Sequence, residues 1–265
     1  MMHIITDLII YPIKSLAGIP VQHANALRSG FQHDRRWMLL DEDNVFLTQR
    51  EIPELALFAP EIKDDKMSIR YQNEHFFFDI SETSNVAIPT KVFTDDADTM
   101  EVSRNSNQWF SDMLKKKVRL VHLKDDQSRQ HYNKNKNEHI FVSLADGYPY
   151  LLAGHESLDH LNRKLQQPLA MNRFRPNMVV TSSVPHEEDE WGELTIGSAK
   201  FLNMKPCGRC KIITINQTTT VIDNEPLTIL NTYRKAGHNV MFGTNMTCVR
   251  EGMVHVGDTI YRADC

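Results

Sequence analysis

The chain has 265 residues, 41% hydrophobic and 24% charged, with a formal net charge of -4. That length buries a sizeable core in one or two domains. The weak negative charge argues against a nucleic-acid surface; the longest basic run, Lys115-Lys116-Lys117, closes a helical pattern, where helix dipole and solvent account for it. No apolar stretch approaches the ~20 residues that cross a membrane. The opening Met1-Met2-His3 lacks a basic leader, and four cysteines without a paired framework fit a reducing cytoplasm.

Residues 3–10 are mainly β-branched or apolar and predict a first strand. It stops at Tyr11-Pro12-Ile13-Lys14-Ser15, where Pro12 cannot donate to a ladder. Residues 19–27 partly alternate and predict a second strand. Asp34-Arg35-Arg36 leads into residues 37–40, Asp41-Glu42-Asp43-Asn44 is a turn, and residues 45–47 return as a hairpin with Arg35 and Arg50 near the same end. A second hairpin is predicted over 67–71 and 75–80. Short strands at this spacing point to an all-β barrel or sandwich.

The first helix signal covers 106–116, with Ser106 as N-cap and Trp109, Phe110, Met113 and Leu114 on one apolar face. A strand is expected at 118–123. Residues 124–138 are polar apart from the Tyr132 ring and are expected as an exposed loop, a candidate domain joint or flap. The turn Asp146-Gly147-Tyr148-Pro149 precedes a second helix at 156–165. Pro176 favours an extended Arg175, and a strand follows at 178–181. His186-Glu187-Glu188-Asp189 puts four potential ligands on one loop, but without an EF-hand pattern it reads as solvated surface. Asn224-Glu225-Pro226 opens a third helix, 227–235, closed by Gly237. Strands are expected at 241–246 and 254–261. No phosphate-binding glycine loop is present, and no local signature favours a hydrolase triad or carboxylate pair.

The segment Met204-Lys205-Pro206-Cys207-Gly208-Arg209-Cys210 holds two of the four cysteines. A strand-like run, 194–204, leads in and the β-branched run 212–215 leads out, so the thiols are expected on a tight loop between strands, with Gly208 freeing the backbone. Three chemistries fit. Half of a zinc site is one, but Cys248 and Cys265 stand apart and no paired histidines follow. A dithiol redox pair is another, but such pairs usually open a helix. The third is one thiolate on a soft, high-valent metal, with Arg209 as an anion clamp. Two buried cysteines in a turn are the plain structural alternative.

Tyr-Pro-Ile-Lys-Ser at 11–15, Asp-Arg-Arg-Trp at 34–37, Arg-Phe-Arg-Pro-Asn at 173–177 and Lys-Pro-Cys-Gly-Arg-Cys at 205–210 stand in an order that resembles the MOSC proteins. Relatives there include the mitochondrial amidoxime-reducing component and bacterial hydroxylaminopurine-resistance reductases, and the resemblance covers essentially the whole chain. It implies a mainly β fold with a few helices: an N-terminal MOSC-type β-barrel domain, 1–122, then a MOSC β-barrel domain, 123–265, with a molybdenum cofactor between them. Cys210 maps to the molybdenum ligand and Cys207 to a structural neighbour. Lys14, Ser15, Arg35, Arg175 and Asn177 fall where the family grips the pterin and its phosphate, with Arg50 beside Arg35; Gly208 and Arg209 supply loop contacts.

The implied activity is reduction of N-hydroxylated compounds (hydroxylamines, amidoximes, N-hydroxylated bases), a cytoplasmic detoxification. The family's description also carries pyridoxal phosphate binding. Many bacterial relatives append a plant-type ferredoxin domain with a Cys-x4-Cys-x2-Cys run. No such run occurs here, so no iron-sulfur cluster is expected, and electrons are expected from a separate ferredoxin or flavoprotein. The alternative is a module that binds the cofactor or carries sulfur without reductase activity.

Overall fold

Period-two burial builds the sheets. In Lys66–Tyr71, Met67, Ile69 and Tyr71 turn inward, and the strand is the centre of an antiparallel sheet with Ala59–Lys63 and Glu74–Asp79. The computed structural model describes residues 2–124, 127–133 and 138–263. They are mainly strands, with three α-helices among the described residues. Two compact units interleave along the sequence. A middle unit takes Tyr11–Ile19 and His33–Gly147. A terminal unit takes the described residues up to Ile10, then Pro20–Gln32, then those from Tyr148 onward. Early strands of the sequence pair with late ones in the terminal unit.

In the middle unit a four-stranded sheet runs Trp37–Leu40, Arg119–His122, Asp95–Glu101, Ala87–Val92. The Arg104–Leu114 helix packs Phe110 into a core with Phe58, Trp37 and Leu120. Phe58 stacks on Tyr71 at 3.9 Å between ring centroids. The helix begins two residues before the predicted start. Ser103 is the N-cap, and Ser106 is its reciprocal partner in a capping box.

The terminal unit holds a sheet in which Ile5–Ile10, Met178–Val180, Tyr150–Gly154, Asn239–Arg250, Ala199–Arg209, Glu193–Ile196 and Ile260–Arg262 are neighbours in that order. Tyr150–Gly154, buried along its length, is parallel to Met178–Val180, and the His155–Asn162 helix lies in the crossover between them. His23–Leu27 pairs with Gly252–His255.

Three expectations give way. Within 124–138, Arg129–Asn133 is a strand that pairs with Glu138–Val142. Its inward residues, Arg129 and Asn133, are polar, so no apolar alternation marks it. The flap expected there falls partly on 125–126 and 134–137, which lie outside the described residues. The acidic segment is not solvated surface: Glu187–Glu190 is a 3-10 turn with Glu188 fully buried. Glu188 accepts from the Gly154 amide at 3.0 Å and the Ser157 hydroxyl at 2.7 Å, and Asp189 pairs with Arg234. Burial raises the pKa of both carboxyls. Finally, residues 212–215 do not form a strand; Lys211–Thr214 is a 3-10 turn.

Candidate functional site

Cys207 lies inside the Ala199–Arg209 strand, not on a free loop. Pairing with Asn239–Arg250 slips there, since Pro206 faces Thr244 while Gly208 faces Met241. The extra residue is on the partner strand at Gly243, with φ +68. A Cβ at Gly243 would meet the Leu152 carbonyl at 2.7 Å, so glycine permits this bulge. The bulge seats Phe242 against Phe174, ring centroids 3.8 Å apart. Arg209 lies over the Phe174 ring, donates to the Phe174 carbonyl at 2.8 Å and donates to Cys207 Sγ at 3.1 Å.

Side chains alternate along a strand, so Cys207 and Arg209 share one face and Cys210 leaves by the other. Cys210 continues the extended path, with φ -108 and ψ -178. Over three residues at ~3.3 Å each, the two cysteine Cα atoms stand about 10 Å apart, beyond the ~7 Å a disulfide bridges. An extended path of that length argues against a Cys207–Cys210 disulfide. Cys210 is exposed and Cys207 half-buried. Cys248 is buried and desolvation pushes its thiol up to about 11, so it stays protonated and inert. Cys265 lies outside the described residues. Gly208 needs no glycine-only conformation: a Cβ there meets nothing nearer than Asn239 at 3.4 Å.

Arg173, passed over in the sequence, fixes the chain just after Cys210. It is buried and donates to the carbonyls of Ile213 at 3.3 Å and Thr214 at 2.9 Å. Its signal was its place as the first arginine of Arg-Phe-Arg-Pro-Asn. Arg175 is not extended as expected; it sits at φ +54, its amide donating to the Asn172 carbonyl at the end of the Met171–Arg173 turn. Asn177 is buried and ties strands together: Nδ2 donates to the Ile9 carbonyl at 3.1 Å and Oδ1 accepts from the Leu151 amide at 3.3 Å.

The other candidates belong to the middle unit, where Lys14, Arg35 and Arg50 come together around Asp146. Lys14 is buried, donates to the Leu144 carbonyl at 2.8 Å and pairs with Asp146. Arg50 reaches the same carboxylate at 3.7 Å. One carboxylate between two cations leaves the group positive. Burial lowers the Lys14 pKa, and Asp146 opposes that. Burial alone would raise Asp146, but Lys14, then Arg50 and Arg35, overcome it and hold the carboxyl at about 2. Arg35 sits at φ +48 over the Tyr11 ring and pairs with buried Asp34 at 2.7 Å. Ser15, at φ +70, is buried, and its carbonyl accepts from Gln49 Nε2 at 2.7 Å. Asp146 was read from the sequence only as a turn residue.

Residues 2–117 match the MOSC N-terminal beta barrel domain, and residues 140–261 match the MOSC domain. Mitochondrial amidoxime reducing component 2 of Bos taurus is 31% identical over 277 residues, spanning 97% of this chain and 82% of the relative. The chain belongs to the family of the mitochondrial amidoxime-reducing components. The Homo sapiens component 2 is 30% identical over 97% of this MOSC chain and 83% of its own length. The molybdenum cofactor sulfurase of Arabidopsis thaliana is 29% identical over 91% of this chain, which spans 32% of the sulfurase. Both bulge and thiols lie within the stretch matching the MOSC domain, and the Lys14–Arg50–Asp146 group is contributed by the middle unit.

Proposed function

We propose that this MOSC chain is a molybdenum-cofactor-dependent reductase of N-hydroxylated compounds. The observation that carries the reading is the opposed pair of thiols. Arg209 donates to the Cys207 sulfur, and Cys210, exposed just past the strand end, is the soft donor assigned to the metal. Among the described residues no three of His, Cys, Asp and Glu gather as a protein-only metal site. That donor set suits a metal whose remaining ligands arrive with the cofactor. A second sign of fit is Arg209 Nε, buried and without a hydrogen-bond partner among the described residues.

Cys210 is the proposed ligand, with Gly208 and Arg209 as neighbouring contacts and Arg175 as a further cation. Lys14, Ser15, Arg35 and Arg50 are the proposed anion-binding group, since arginine forks and a buried ammonium match phosphate oxygens. Asn177, which joins the strands of Ile9 and Leu151, is a further proposed cofactor contact. When bound, the cofactor supplies two-electron oxygen-transfer chemistry. The overall reaction breaks the N–O bond of the hydroxylated nitrogen, consumes two electrons and two protons, and yields the amine and water. A separate ferredoxin or flavoprotein supplies the electrons, and the protein works in the cytoplasm.

The relationship to the sulfurase favours a second reading, a cofactor-binding or sulfur-carrying module. Production in a host that makes molybdopterin separates the two. The enzyme reading expects about one molybdenum per chain, a large loss in Cys210→Ala and a smaller one in Cys207→Ala. It also expects reduction of an aryl hydroxylamine or amidoxime by a chemical reductant. Metal retained without any N–OH reduction supports the module. A greater metal loss in Cys207→Ala than in Cys210→Ala reverses the two cysteine assignments.

A further inference from the structure

The hairpin between Ala87–Val92 and Asp95–Glu101 is closed by two residues, since Val92 pairs with Asp95. The first of them is Phe93, at φ +57 and 54% exposed. Two-residue hairpin turns with positive φ at that position favour glycine, and a bulky side chain there is strained. Exposure gives the ring little burial to offset the strain. A strained, exposed aromatic is held for something it does.

The surroundings hold it firmly. Asp95 in the same hairpin pairs with Arg129 and accepts from His131 at 2.8 Å. Arg129 also donates to the Asp146 carbonyl at 2.9 Å, which couples the hairpin to the segment carrying Asp146. The Phe93 ring meets Phe46 edge to face at 5.4 Å and lies 5.5 Å from the Arg50 guanidinium. Phe46 in turn lies 5.0 Å from Lys14 Nζ. Two rings therefore flank two of the cations proposed to grip an anion, all within the middle unit.

We propose that Phe93, backed by Phe46, is a ring-contact residue that packs against a flat conjugated ring whose polar part lies on Lys14 and Arg50. The proposal rests on the molybdenum-reductase reading for the identity of that ring, which is the pterin of the cofactor or the aryl group of a substrate. Offset or edge contacts between rings are worth roughly a three- to tenfold change in affinity.

Phe93→Gly and Phe93→Tyr test it. Glycine accepts the backbone angle and removes the ring, so the variant folds; tyrosine keeps the ring. Wild type and both variants are purified from a molybdopterin-producing host. Pterin content is read by fluorescence after oxidative release, and affinities for benzamidoxime and acetamidoxime by calorimetry. If the ring is the pterin, Phe93→Gly loses about three- to tenfold in pterin content and Phe93→Tyr restores it. If it is the substrate's, content holds, benzamidoxime weakens by about that factor, acetamidoxime is unchanged, and tyrosine again rescues. A Phe93→Gly protein equal to wild type in pterin content and in the ratio of the two affinities overturns the proposal. Wild type that holds pterin but reduces no N–OH compound sinks the reductase reading alone, because content and affinity still report on Phe93. Wild type without pterin leaves the affinity ratio to decide, and equal affinities then overturn the proposal.

Discussion

Asp146 holds a buried ammonium in place, and that gives it a pH signature. Its carboxyl is at about 2 in the folded protein against an ordinary 3.8. A depressed carboxyl contributes stability that is complete above the unfolded value and disappears as pH falls through the folded one. Acid unfolding of the wild type, followed by circular dichroism, should therefore steepen between pH 3.8 and about 2, and Asp146→Asn should flatten that limb. The side chain is 53% exposed, so the effect is smaller than for a buried pair. His186 runs with the opposite chemistry. Burial, then Arg234 and His160, lower its pKa from 6.5 to about 4, and neither ring nitrogen has a partner among the described residues. The folded state refuses a proton that the unfolded chain accepts below pH 6.5, so stability falls as pH drops from 6.5 toward 4. Denaturant titrations at several pH values should show a loss of roughly 2–3 kcal/mol over that window, largely absent in His186→Asn, which tolerates the same φ of +64. Among residues, the cysteines and arginines stood out in the sequence because their types are informative at short spacing. Asp146 and Arg173 did not, because their meaning lies in Lys14 and in the Ile213 and Thr214 carbonyls, far along the chain.

At the scale of elements, the Gly243 bulge decides how the thiol strand is presented. Gly243→Ala must adopt φ +68 and displace the Leu152 carbonyl. The expected cost is about 1–3 kcal/mol, read as a lower thermal midpoint. Because Phe242, Phe174, Arg209 and Cys207 are linked in series, the same variant should also hold less molybdenum. A stable variant with full metal content would remove the bulge from the account. Apolar alternation and turn residues made most strands visible, including Lys66–Tyr71 and Glu74–Asp79. The elements that escaped notice carry disguises. Ala87–Val92 contains Pro89, which an edge strand tolerates, and its partner carries Asp95, Asp96 and Asp98. Arg129–Asn133 buries an arginine neutralised by Asp95. The turn after Cys210 hides because its β-branched residues favour strand locally, while Arg173 holds the chain in a 3-10 turn.

On the scale of the whole molecule, interleaving makes the family's two domain matches interdependent in folding. The stretch 140–261 lacks Ile5–Ile10, which pairs with Met178–Val180, and His23–Leu27, which pairs with Gly252–His255. Produced alone, that fragment should expose two unpaired strand edges, aggregate, and show no cooperative unfolding by calorimetry. A soluble, cooperatively melting fragment would show that the early strands are dispensable. The mainly β character was readable from strand spacing, and the family from motif order. The interleaving was not, because strand pairing over such distances leaves no local mark.

Asn177 grips the Ile9 carbonyl from 168 residues away. At ribosomal speeds of ~5–20 residues per second, that gap is roughly 10–30 seconds. Throughout that interval the nascent Ile5–Ile10 segment, four of whose six residues are Ile or Leu, has Ile19–Val21 as neighbour on one edge, while its other edge waits for Met178–Val180. The middle unit can close while its neighbour's first strand still waits. Chaperone holding and slower translation at low temperature should therefore govern how much protein reaches the native state.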